Sequence, residues 1–96
     1  MNPTELSRAI VEGIRSKLGK GVNIEAKRQE QYLSIEANEE LLVWLYERKA
    51  YVTVEKPTIS DKGNQTCKWI MRVYNEMDIP KAVEKIVKIY WEKKLS

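Results

Sequence analysis

The chain has 96 residues, with 17 Lys and Arg against 14 Asp and Glu, no His and one Cys. That length fits one domain over residues 1–96, since two would need roughly 100 residues each. The missing His removes Ser-His and Cys-His catalysis and imidazole metal ligands, and the lone Cys67 removes a disulfide framework or thiolate cluster.

Pro3–Leu18 reads as an amphipathic helix, because Leu6, Ile10, Ile14 and Leu18 recur at every fourth position with Arg8, Glu12 and Arg15 on other faces. Asn2 is placed to cap it, Pro3 stands where a missing N–H costs nothing, and Gly19 offers a left-handed exit. Two alternating runs follow, Val22-Ile24-Ala26 and Leu33-Ile35-Ala37, with polar residues 28–30 between them. Their period of two predicts an antiparallel pair with one wet face.

Residues 39–49 admit two structures. As a helix, Asn38 would cap it and Glu39 and Glu40 would suit the dipole. As a strand, it would send Leu42, Trp44 and Tyr46 to one face and Leu41, Val43 and Leu45 to the other. Its short length and its Val, Trp and Tyr favour the strand.

Residues 50–56 alternate again, with Pro57 as the stop, and Asp61-Lys62-Gly63-Asn64 marks a turn. Residues 66–74 form the return strand, Trp69, Met71 and Val73 facing one way and Lys68, Ile70, Arg72 and Tyr74 the other. A final helix begins after Asp78 as its cap. Ala82, Val83, Ile86, Val87, Ile89 and Tyr90 make its apolar stripe, opposite Lys81, Lys85 and Lys88. The expected fold is α+β, a two-layer arrangement in which an antiparallel meander of four to five strands is flanked by an N-terminal and a C-terminal helix. This order resembles that of double-stranded-RNA-binding domains. Their G-x-G-x-S-K-K-x-A-K helix start is absent, since the chain reads Asp78-Ile79-Pro80-Lys81-Ala82 there, and no residue role is carried over.

The longest apolar run is six residues, 41–46, where a membrane span needs about 20. The N-terminus lacks the apolar stretch of a signal peptide, so a cytoplasmic location without membrane contact is expected. Lys (12) and Glu (12) outnumber Asp, Asn, Gln and His together (10), a charge-rich usage that points toward a thermophilic protein.

Binding is the function class that the residues favour over catalysis, and they imply no cofactor. Residues 1–40 carry a net charge of −1 and residues 41–96 carry +4. Lys68, Arg72 and Tyr74 on the return strand, with Lys81, Lys85 and Lys88 on the last helix, form a candidate surface for DNA or RNA. There the cations would meet phosphates while rings stack on bases. An alternative uses Leu42, Trp44 and Tyr46 as an apolar face for self-association or a protein partner. A third reading takes the E-x-K spacing of Glu25 and Lys27 as part of a metal-dependent nuclease, although no Asp precedes it. Cys67 beside Lys68 is a thiol whose pKa that lysine would lower, or else an ordinary half-buried cysteine. Glu76 and Asp78 are read as structural.

Overall fold

The computed structural model describes residues 1–95. Helix α1, Pro3–Leu18, starts in a capping box: Asn2 Oδ1 accepts from Glu5 N–H and Glu5 Oε1 accepts from Asn2 N–H, each at 2.9 Å. Gly19 closes it by donating its N–H to the Arg15 carbonyl at 2.9 Å. Its φ is 75° as expected, but its ψ of −173° is extended rather than left-handed helical, which lets the chain leave at once for the sheet.

Five strands follow: β1 (Ile24–Arg28), β2 (Tyr32–Ala37), β3 (Glu40–Glu47), β4 (Val52–Ile59) and β5 (Gln65–Val73). They pair antiparallel in chain order, so the sheet is a meander with β1 and β5 at its edges. Residues 39–49 therefore enter a strand, and Asn38 does not cap a helix. Asn38 and Glu39 make the β2–β3 turn, with φ of 51° and 70° between the paired Ala37 and Glu40. Positive φ at both centre residues is the demand of a type I′ hairpin, whose twist matches that of the strands. The Asn38 side chain also accepts from Asn23 N–H at 2.9 Å, joining the turn to the start of β1.

Two bulges reset the alternation. Ile35 pairs with Val43 while Glu36 pairs with Leu41, which makes Leu42 an extra residue in β3. Val54 pairs with Met71 while Glu55 pairs with Trp69, which makes Ile70 an extra residue in β5. Beyond Glu55 the pairing of β4 with β3 ends, and β4 and β5 continue together as a two-stranded arm.

Pro57 does not end β4. Ser60 N–H bonds Asn64 O across the arm, and backbone groups alternate along a strand, so the Pro57 nitrogen points away from β5 toward the side that β3 has left. A missing donor is harmless there.

A 3₁₀ turn, Glu76–Asp78, leads into α2, Ile79–Leu95. Asn75 caps this turn by accepting from Met77 N–H at 2.9 Å, and Asp78 reaches back to Tyr74 N–H at 2.9 Å. The capping role expected of Asp78 thus falls to Asn75.

Both helices pack on one face of the sheet. Leu6, Ile10 and Ile14 of α1 and Ala82, Val83 and Ile86 of α2 close over Ile35, Val43, Leu45, Val52, Val54 and Val73 in one apolar cluster. Burial of this surface is the main term holding the layers together. Gly13 lets the helices approach, since a Cβ there would lie 2.6 Å from Val83 Cγ2. Among the described residues no helix is long and apolar enough to cross a membrane.

Candidate binding face and β5 edge

Among the described residues no helix covers the other face of the sheet, and the residues of that face follow from the register. One row across the strands runs Ser34, Trp44, Glu55, Trp69, and the next runs Tyr32, Tyr46, Thr53, Arg72. Aromatic side chains dominate it. The Tyr32 ring lies 4.7 Å from Tyr46 and 6.0 Å from Trp44, and Trp44 meets Tyr46 at 6.4 Å, nearly perpendicular. Offset and edge-on rings at these spacings attract through their quadrupoles.

A second aromatic station lies at the β5 side. Tyr51 and Tyr74 are 5.3 Å apart, and the Arg72 guanidinium sits 5.4 Å from the Tyr51 ring while donating to Tyr74 Oη at 3.5 Å. Tyr74 and Trp69 are each about half exposed, at 52% and 55%.

Some cations of the sheet and its flanks are held by carboxylates and others are not. Lys27 is tied to Glu36 at 3.1 Å, Arg28 to Glu47 at 2.7 Å and Arg48 to Glu55 at 3.5 Å. The hydrogen bond that Lys27 donates to the Glu36 carboxylate raises the Lys27 pKa. Arg72, Lys81 and Lys85 are in no ion pair among the described residues. These three cations line an open groove along the β5 edge with Trp69, Tyr74 and Asp78. Asp78 itself is occupied by the backbone N–H groups of Tyr74 and Asn75.

The structure brings some of the sequence-derived residues together and separates others. Arg72, Tyr74, Lys81 and Lys85 share the groove. Lys88 is exposed on α2 but does not line it. Lys68 pairs with Lys56 on the opposite side of the ribbon from Arg72, because the Ile70 bulge shifts the phase and gives Trp69 the place expected of Lys68. Leu42 leaves the Trp44 and Tyr46 face for the same kind of reason: the β3 bulge turns it into the core, where it is 2% exposed.

Cys67 is exposed rather than half-buried, and its thiol pKa is raised, not lowered. The cause is its hydrogen bond to Glu55 Oε1 at 2.9 Å, with some desolvation and the Glu55 charge acting in the same direction. Glu25 and Lys27 lie 4.0 Å apart, and among the described residues no three His, Cys, Asp or Glu side chains cluster to hold a metal ion. Tyr32, Glu55 and Trp69 were the residues missed. Tyr32 had a signal, since it alternates with Leu33 onto the wet face, whereas the place of Glu55 depends on strands it meets only in the fold.

The sequence matches no protein-family model, and no curated protein or solved structure matches it either.

Proposed function

We propose that the protein binds single-stranded nucleic acid along the β5 edge and on the helix-free face of the sheet, without a catalytic role of its own. One observation carries this reading. The fold gathers Arg72, Lys81 and Lys85, none of them in an ion pair among the described residues, into one groove and sets them beside the exposed rings of Trp69 and Tyr74. Cations along a groove meet phosphates, and rings on an open sheet accept bases by stacking, which every base allows. Cytoplasmic DNA or RNA would supply such a polyanion.

Fluorescence anisotropy with labelled oligouridine and oligothymidine tests the proposal. Affinity is expected to fall with salt at a log–log slope of about 0.7 per phosphate neutralised. Trp69→Ala is expected to cost about 1–3 kcal/mol as the loss of one stacked base. Lys81→Glu with Lys85→Glu should weaken binding and flatten the salt slope. Absence of binding at low salt would reject the reading.

A second reading, contact with a protein partner or a second copy, is favoured by the contiguous Tyr32, Trp44 and Tyr46 rings over which no layer packs. It predicts a dimer in light scattering that Trp44→Lys dissociates, and a concentration-independent monomer would reject self-association.

A further inference from the structure

Glu55 is a carboxylate in the middle of the aromatic-rich face, and it is only 9% exposed. Desolvating a carboxylate is costly unless strong partners compensate it. Its partners here are modest. Cys67 offers a thiol, a weak donor, at 2.9 Å, and Arg48 stands 3.5 Å away with its own side chain 42% exposed and its guanidinium over the Tyr46 ring. An ionised carboxylate has about four lone-pair sites, so accepting capacity remains. The register places Glu55 directly between Trp44 and the exposed Trp69, whose Cβ positions in such pairs are about 5 Å away. A base stacked on Trp69 would lie beside Glu55.

The chemistry of the base edge discriminates among bases. A carboxylate only accepts hydrogen bonds, so it favours an edge with adjacent donors and repels one lined with oxygens. Guanine has N1–H and the N2 amine side by side. Uracil and thymine flank one N–H with two carbonyl oxygens, and cytosine and adenine set one amine beside a bare ring nitrogen. We infer that Glu55 makes the sheet face selective for guanine, by accepting both donors of a guanine stacked on Trp69. This rests on the nucleic-acid reading above and adds to it a base preference.

The test compares labelled oligouridine of about nine nucleotides, within the usual range of site sizes, with the same strand carrying one central guanine or one inosine, and with the oligothymidine equivalents. The wild-type protein is expected to bind the guanine strand about tenfold more tightly than oligouridine, as a bidentate base contact allows. Inosine, which lacks the N2 amine, should lose most of that gain. Glu55→Gln should abolish the preference, so that the guanine and uridine strands bind alike. Equal binding of the guanine and uridine strands, or a preference that survives Glu55→Gln, would overturn the inference and leave the general reading intact. Failure to bind every strand would overturn both. If thermal melting shows that Glu55→Gln fails to fold, the inosine comparison on the wild-type protein decides alone. A guanine preference seen only in the DNA series or only in the RNA series supports the inference and identifies the sugar recognised.

Discussion

A type I′ hairpin places both of its centre residues at positive φ, and a side chain there costs about 1–2 kcal/mol that glycine avoids. Asn38 tolerates the position, but Glu39 at φ 70° has no such excuse. Glu39→Gly is expected to stabilise the fold by about 1 kcal/mol, or several degrees in thermal midpoint, measured by circular dichroism melting. Glu47 illustrates a residue whose charge matters. Arg28 grips it at 2.7 and 3.0 Å and, against the opposing effect of partial burial, holds its pKa below the usual 4.5. A carboxylate lowered in the folded state stabilises above its unfolded pKa, and that gain is lost as pH falls through the lowered value. The stability gap between wild type and Glu47→Gln should therefore be full at neutral pH and close as pH drops below 4.5. A gap that persists unchanged in acid would contradict this.

At the scale of elements, the helices meet through a single glycine. Alanine normally favours a helix interior by about 1 kcal/mol over glycine. At Gly13 the added methyl would strike Val83 Cγ2, a stiff β-branched side chain, so Gly13→Ala should instead destabilise by about 1–3 kcal/mol. Chemical denaturation measures it, and Val83→Ala in the same chain should recover part of the loss. Elements were also where the sequence was most and least readable. The periods of Leu6 to Leu18 and of Leu33 to Ala37 revealed helix and strand, because one continuous stretch carries its own pattern. The bulges at Leu42 and Ile70 were hidden, since an extra residue is defined only by the strand opposite. Each inverted a face assignment, which is why Leu42 and Lys68 left the candidate surface and Trp69 entered it. Arg72, Tyr74, Lys81 and Lys85 were legible as a group because their own spacing lies on one side of each bulge.

The whole molecule is lopsided: two helices cover one side of a five-stranded sheet and none covers the other. Glu36, Glu47 and Glu55 answer cations on the sheet, while Arg72, Lys81 and Lys85 come together at the groove. The same Lys and Glu abundance supplies ion pairs whose desolvation weighs less when hot. Calorimetry is expected to give a thermal midpoint above about 65 °C, beyond the mesophile range, and a midpoint below it would count against a thermophilic origin.

Pro57 has a consequence at this scale. The β4–β5 arm runs beyond the shelter of β3, and a bare strand edge is a template onto which other chains polymerise. By withholding an amide at that edge, the proline denies an incoming strand one rung of the ladder and so works against edge-to-edge pairing.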